Sequence, residues 1–237
     1  MELGSDGAAH GTLVVSEVQT GGRGRLSRQW YSPRGGLYMS VILRPRRPGA
    51  VFPFLPLAVG VAVIEAVTGY DTLPLGLKWP NDILLDGRKL GGILIESAPF
   101  RRGDGGISFY VAGIGLNVNT DLTDLPEELR ARVTSLAAAC GCRWDMESLM
   151  QAIAQGVLLC LEKSTLERGS ETICAWQRYD ALVGVPMDWM TPAGEVVSGR
   201  AIGLAHDGRY MVSDAQGTIH HVLSGDLTPG LFKESSG

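Results

Sequence analysis

The sequence predicts an α+β fold: a mixed, mostly antiparallel sheet with flanking helices, followed by a small C-terminal β-barrel. Three observations point there. Short apolar segments cluster between residues 75 and 117 and are joined by hairpin-type turns, Asp86-Gly87 above all. Two stretches instead have the look of helices: the apolar run from Leu55 to Thr68, and Leu149, Ile153, Val157 and Leu161, which recur every four residues. After Gly184, β-type segments alternate with Gly, Pro and Asp turns to the end of the chain. A chain of 237 residues suits one sizeable domain, residues 1–182, and a small one, residues 183–237.

Residues 1–10 are small, polar and glycine-rich and read as a frayed end. Thr12-Leu13-Val14-Val15 reads as a short buried strand, and Leu37–Leu43 as a second strand, apolar on both faces. Arg44-Pro45-Arg46-Arg47-Pro48 breaks it. Pro53 and Pro56 open the helix over Leu55–Thr68, because a first turn does not need the N–H that proline lacks; Gly69 ends it. Leu75–Trp79 is a strand stopped by Pro80, Asn81-Asp82 makes the turn, and Ile83–Leu85 starts the return. Lys89–Glu96 and Ile107–Asn117 are further strands. Pro126 opens a helical stretch that Thr134-Ser135 interrupts, and Ser135 caps a short Leu-Ala-Ala-Ala turn ending at Gly141. Asp145 caps the four-residue-periodic helix, and another helix runs over residues 171–182. The C-terminal segments are Val185–Met190, Val196–Leu204, Arg209–Ser213 and Thr218–Leu223, with turns at Pro192-Ala193-Gly194 and His206-Asp207-Gly208. Residues 233–237 read as disordered.

Hydrophobic content of 45% and charged content of 19% indicate a soluble globular chain. The net charge of −4 argues against a nucleic-acid partner. The positive charge is local: Arg23, Arg25, Arg28 and Arg34, then Arg44, Arg46 and Arg47, a distribution that favours a small anionic ligand. Cys140, Cys142, Cys160 and Cys174 form no Cys-x-x-Cys pair and no His-x3-His accompanies them, which argues against zinc. Cys160 and Cys174 fall in apolar-periodic segments and read as buried thiols, and the expected compartment is a reducing cytoplasm. The N-terminus lacks a signal pattern. The longest apolar run is interrupted by Glu65 and is shorter than the ~20 residues of a membrane span, so no membrane partner is expected.

Gly21-Gly22-Arg23-Gly24-Arg25-Leu26-Ser27-Arg28-Gln29-Trp30 is the stretch most loaded with chemistry. Glycines let backbone approach a ligand, successive exposed N–H groups make an anion-binding nest, and arginines add forked donors matched to phosphate or carboxylate. No Gly-Lys-Ser/Thr follows, so this is not the phosphate loop of the common ATPases. The bland alternatives are a solvated basic loop and a nucleic-acid arginine patch.

Lys78-Trp79-Pro80-Asn81-Asp82-Ile83 decides between these. With the loop at 21–30, Lys-Leu-Gly-Gly-Ile-Leu-Ile-Glu at 89–96 and Gly-Ile-Gly-Leu-Asn-Val-Asn at 113–119, in this order, the chain from about Gly11 to its end resembles the biotin protein ligases (biotin–[acetyl-CoA carboxylase] ligases). The resemblance implies a class II aminoacyl-tRNA synthetase/biotin ligase-like catalytic fold and an SH3-like C-terminal domain. It implies two steps: biotin and ATP give biotinyl-5′-AMP and pyrophosphate with Mg²⁺, and a lysine of a biotin carboxyl carrier protein (acetyl-CoA carboxylase) then displaces AMP. Family members often dimerise; nothing in the patterning shows a dimer.

Carried over residue by residue, the resemblance places Gln19, Gly22, Arg23, Gly24 and Arg25 against biotin and its adenylate. Arg28 and Trp30 close on the phosphate and adenine side. Lys78 stands at the essential lysine that follows the moving charge, with Arg25 as its catalytic partner. Asn81 and Asp82 orient Lys78 and Mg²⁺, with Asp82 as metal ligand; plain turn formation after Pro80 is the competing role. Gly91 and Gly92 let the ligand lie against the strand, and Ile93, with Leu94 or Ile95, lines an apolar tunnel, depending on strand face. Gly113, Gly115 and Asn117, with Asn119 nearby, form the adenine and ribose wall. Glu65 and Glu96 are carboxylates of unassigned role, and His10, His206, His220 and His221 read as surface or packing residues.

The sequence also departs from the family. Members usually carry a strand and a helix with a Ser-Thr-Asn motif that lines the biotin ring pocket, and no such motif precedes Gly11. No helix-turn-helix precedes the catalytic region, as in the form without an N-terminal DNA-binding domain. Ser27 stands at a commonly glycine position, with a mild effect expected unless positive φ is required. The competing functions are a non-catalytic or impaired biotin or biotinyl-AMP binder and, more remotely, a lipoate or octanoyl transferase.

Overall fold

In the computed structural model, residues 1–46, 52–99, 107–190, 196–222 and 228–229 are described. Arg47, the Pro192–Gly194 turn, Leu223 and residues 233–237 lie outside them. In chain order the elements are α1 (Glu2–Ser5), β1 (Leu13–Ser16), β2 (Leu37–Leu43), α2 (Leu55–Thr68), β3 (Leu75–Lys78), β4 (Asp82–Leu85), β5 (Arg88–Pro99), β6 (Ile107–Leu116), α3 (Glu127–Arg130), α4 (Leu136–Cys140), α5 (Met146–Leu158), α6 (Cys160–Lys163), α7 (Gly169–Gln177), β7 (Pro186–Met190), β8 (Val196–Leu204), β9 (Tyr210–Ser213), β10 (Ile219–Val222) and β11 (Thr228–Pro229). None of these helices is long and apolar enough to cross a membrane.

The first six strands form one antiparallel sheet in the order β1-β2-β6-β5-β4-β3. Its two faces follow from strand alternation. Met39, Ile114 and Ile93 stand in register on one face, with Leu77 and Ile83 beside them, and all are buried. This face packs on α2, which is buried along most of its circumference and is covered in turn by α5, α6 and α7. α2 begins with proline in its first turn, α4 is capped by Ser135 and closed by left-handed Gly141, and Asp145 accepts from the Glu147 and Ser148 amides at the head of α5. The last five strands form a second antiparallel sheet, β10-β9-β8-β7-β11, compatible with the SH3-like domain expected there.

Four expectations are corrected. The N-terminal residues are packed, not frayed: Gly4 lies under Phe109, where a Cβ would come within 2.3 Å of the ring, and Ala8 joins Ile42, Ala98, Phe109 and Val111. Arg44 fastens this segment. It donates to the Ala8 carbonyl at 2.8 Å and the Gly4 carbonyl at 2.6 Å, with its guanidinium 5.2 Å from the Phe109 ring centre. Small residues that read as a tail are the ones a close approach needs. β1 is an edge strand, with Val14 and Val15 at 42% and 48% exposure. Cys174 is exposed, whereas Cys160 is buried and its thiol is pushed up to about 12 by that burial. Finally, the last helix stops at Gln177, because residues 179–181 pair with the outer edge of β3 instead: Leu77 donates to the Tyr179 carbonyl and Ala181 to that of Leu77.

Replacing Arg44 by Ala removes a cation and two hydrogen bonds, to Gly4 in α1 and to Ala8, from the N-terminal segment. We expect a loss of about 2 kcal/mol in stability and rapid native-state proteolysis within residues 1–8; a parental denaturation midpoint and cleavage pattern would contradict this. Burial also raises the Asp180 carboxyl, more than its hydrogen bonds from the Leu182 and Val183 amides and Tyr210 lower it. A raised carboxylate favours the fold below the ordinary value near ~4 and loses that contribution as pH rises. Asp180→Asn should therefore gain in melting temperature over the parent between pH 4 and 7; a pH-independent difference would contradict the assignment.

Candidate active site

The other face of the sheet carries the site. One register row crosses all six strands: Lys78, Asp82, Gly92, Gly115, Tyr38 and Ser16. The next row holds Leu94, Gly113, Ser40 and Val14. Its centre is therefore a shelf without side chains at Gly92, Gly113 and Gly115; a flat ligand can lie on the backbone at Gly92 and Gly113, and Gly115 gives the room that Trp30 takes up. Gly92 and Gly91 do different things. Gly92 opens onto the shelf near Asp82 and Lys89, whereas Gly91 faces the core, where a Cβ would meet the Gly115 carbonyl at 2.6 Å and Leu116 at 2.8 Å.

The arginine loop folds over this shelf as a small closed hairpin. Trp30 donates to the Gly22 carbonyl at 3.0 Å and Gly24 to the Arg28 carbonyl at 2.7 Å. Gly22 has no room for a side chain, since a Cβ would lie 2.3 Å from the Trp30 carbonyl oxygen. Gln19 anchors the hairpin base, its side-chain oxygen accepting from the Ser32 hydroxyl at 2.8 Å. Trp30 lies directly on Gly115, where a Cβ would meet its Nε1 at 2.6 Å, and that Nε1 is buried without a hydrogen-bond partner. Arg23 reaches from the loop to Glu96 on β5 at 3.1 Å. At the hairpin tip Leu26 and Ser27 take φ of 54° and 59° in succession, the left-handed region. Ser27 thus takes a positive φ and bears strain that a glycine would not.

Asp82 and Lys89 supply the charge beside the shelf. The Lys89 ammonium is 2.7 Å from Asp82 Oδ1 and 5.4 Å from the Trp30 ring centre. Lys89 opens the motif at 89–96 but is given no role by the resemblance. Strict alternation puts it on the face of Gly91 and Ile93, in the core. A β-bulge intervenes: Ile83 pairs with Gly91 and Leu84 with Lys89, so Leu90 is the extra residue and Lys89 turns to the shelf side. Lys78, expected to be the principal lysine, is half-buried at the outer end of the row, beyond Asp82. The Lys-Leu-Gly-Gly spacing was the available signal for Lys89, and the bulge hid it.

Asn81 ties its turn to β5: its side-chain amide donates to the Ile93 carbonyl at 2.9 Å and its own carbonyl accepts from the Ile93 amide at 2.9 Å. A cleft of about 240 Å³ opens beside this turn, lined by Arg25, Pro56, Trp79, Asn81, Ile95 and Gly208, among others. Ile93, expected in an apolar tunnel, lines this cleft with Leu94 and Ile95, while its side chain is only 2% exposed and also belongs to the core under α2. Leu94 is the neighbour that stands on the shelf row. Asn117, expected in the nucleotide wall, is buried with its amide committed to the Thr134 carbonyl at 3.0 Å. Asn119 likewise clamps the Trp144 backbone through both side-chain atoms. These two asparagines hold the end of β6 to the segment before α4 and α5.

Ser27→Gly relieves the left-handed strain and should stabilise the closed hairpin by about 1 kcal/mol, read as slower proteolytic nicking of the loop. Unchanged or faster nicking would show that the strain is absorbed elsewhere.

The profile of the Biotin/lipoate A/B protein ligase family matches residues 2–119, so the likeness begins well before Gly11. The bifunctional ligase/repressor BirA of Bacillus subtilis is 37% identical over 234 residues, covering 97% of this chain and 69% of that protein. The biotin–[acetyl-CoA-carboxylase] ligase of Mycobacterium tuberculosis is 40% identical over 131 residues, 53% of this chain and 45% of that one. Among solved structures, the biotin protein ligase of Aquifex aeolicus in complex with biotin and ATP superimposes with a TM-score of 0.79 at 30% identity, over 96% of this chain and 92% of that one.

Proposed function

Since the chain belongs to the biotin protein ligase family, we propose that it activates biotin with ATP to biotinyl-5′-AMP and transfers the biotinyl group to a lysine of a biotin carboxyl carrier protein. The observation that carries this is the charged edge of the shelf: Lys89, held by Asp82 and covered by Trp30, beside the Asn81 turn and Arg25. The first step brings a carboxylate onto a phosphate. The carboxylate oxygen bonds to the α-phosphorus, the bond to the bridging oxygen breaks, and pyrophosphate leaves. Fixed positive charge is what such a step needs, since charge builds where two anions meet. Lys89 and Arg25 supply it in our reading, and Lys78 adds a more distant charge along the row. In the second step the neutral lysine amine of the carrier attacks the acyl carbon, the acyl–phosphate bond breaks, AMP leaves, and the nitrogen gives up a proton to solvent. The mixed anhydride hydrolyses in water, so a hairpin that shuts over the shelf protects it.

The donor set bears on the metal. Among the described residues no group of three His, Cys, Asp or Glu is poised to hold an ion. Asp82 offers one carboxylate and Asn81 one amide oxygen. That fits Mg²⁺, which binds through one or two carboxylates while nucleotide phosphates and waters fill the rest. Asp82 and Asn81 would hold it, and bound there it would offset charge on the departing pyrophosphate. Trp30, with its buried unpartnered donor, would cover the nucleotide side of the shelf.

The test is the intact mass of an apo biotin carboxyl carrier domain incubated with this chain, biotin, ATP and Mg²⁺. One added biotin, absent without ATP, is expected. Retained binding of biotin or biotinyl-AMP with no modification of the carrier would make it a binder, and addition of lipoate in preference to biotin would make it the other branch of the family. Lys89→Ala should lower adenylation by roughly 10³-fold, the scale of losing a charge fixed at a reacting centre, and Lys78→Ala by only about tenfold. The reverse order would return the principal role to Lys78. Arg25→Ala should release adenylate into solution before transfer; undiminished retention would take Arg25 out of the lid.

A further inference from the structure

The Trp79-Pro80-Asn81-Asp82 turn is held from two sides. β5 holds it from within the sheet, through Asn81 and the Asp82–Lys89 pair. The second sheet holds it from behind. The Trp79 indole N–H donates to the carbonyl of Gly208 at 3.1 Å. Its ring lies 6.0 Å from that of Tyr210, which is also 6.3 Å from Trp176. Tyr210 is fixed in its turn, donating its hydroxyl to the Asp180 carboxylate, 2.8 and 2.9 Å from the two oxygens. Gly208 takes φ of +82°, and a side chain there would press on Phe54 at 3.2 Å. It also lines the cleft opposite Arg25 and Asn81.

From this geometry we infer that Trp79 is a positioning residue, through which the 205–209 turn of the second sheet sets Asn81 and Asp82 at the reacting centre. Trp79 lines the cleft beside Arg25 and Asn81, with its indole N–H turned to Gly208. It acts because the backbone that follows it is the backbone that carries those two side chains. A shift at Gly208 is thereby felt at Asp82, and hence at Lys89, through the backbone of the turn. The C-terminal domain becomes part of the adenylation machinery. The inference rests on the ligase reading and extends it.

The experiment uses the full chain with two variants that strike the brace from opposite sides, Trp79→Phe and Gly208→Ala, and Leu149→Ala as a control that weakens the core at α5 alone. Amide hydrogen exchange is followed for the peptide spanning residues 80–93, and biotin-dependent ATP–pyrophosphate exchange gives kcat and KM. Both brace variants should raise exchange in that peptide at least tenfold and raise the KM for ATP several-fold. The control should lower the melting temperature and leave protection and KM at parental values. If both brace variants melt earlier yet keep parental protection in 80–93 and parental KM, Trp79 is packing only and the inference fails. If the control moves the same two readings as far, positioning through Trp79 is likewise overturned. Absence of exchange activity in the parent would instead strike the ligase reading, and the hydrogen-exchange arm would still decide the brace.

Discussion

The structure depends on keeping one patch of the sheet free of side chains. A pleated sheet normally covers both faces, and a six-stranded one buried on a single helical layer has a second face to dispose of. Here the far end of that face is roofed by α1, locked down by Arg44 over Phe109. The near end is roofed by Trp30 on Gly115. Between the two roofs the backbone at Gly92, Gly113 and Gly115 is the floor. A side chain at Gly92 or Gly113 would raise it, and one at Gly115 would push Trp30 away. The glycines, the tryptophan and the closing hairpin are one solution to one steric requirement.

Charge is organised around the same floor. Asp82 and Lys89 come from adjacent strands and meet on the shelf side only because the bulge at Leu90 reverses the alternation of β5. The pair is partly screened by solvent. Its value lies less in stability than in aiming an ammonium group beside the tryptophan. Arg23 is meanwhile tethered to Glu96 across the strand. Of the loop arginines it is Arg25 that lines the cleft.

Much of this was legible in the sequence. Strand and helix limits marked by Pro53, Pro56, Ser135, Gly141 and Asp145 follow local rules that tertiary structure had no reason to override. The loop and the Asn81-Asp82 turn stand out because few structural roles call for such residues together. What could not be read was the direction of side chains. Ile93 and Leu94 are interchangeable until the face is known, Lys89 lies behind a bulge, and Asn117 and Asn119 serve backbone groups of distant segments. The N-terminal residues were misjudged for a related reason: glycine and alanine are as frequent in tails as in tight contacts, and only Phe109 and Arg44, far along the chain, tell the two apart. The helix expected to reach residue 182 stops at 177 because an open sheet edge outcompetes local propensity.

That last feature bears on how the chain can be divided. Residues 179–181 lie against β3, and the second sheet begins a few residues later. The connector is itself the outermost layer of the first sheet, bonded on one side to the strand whose end starts the Asn81 turn. Such a protein is not two beads on a string. Cutting between its halves would bare a hydrogen-bonding edge on one piece and strand a segment of extended backbone on the other, so the joint behaves as shared property and ties the inheritance of the two halves together.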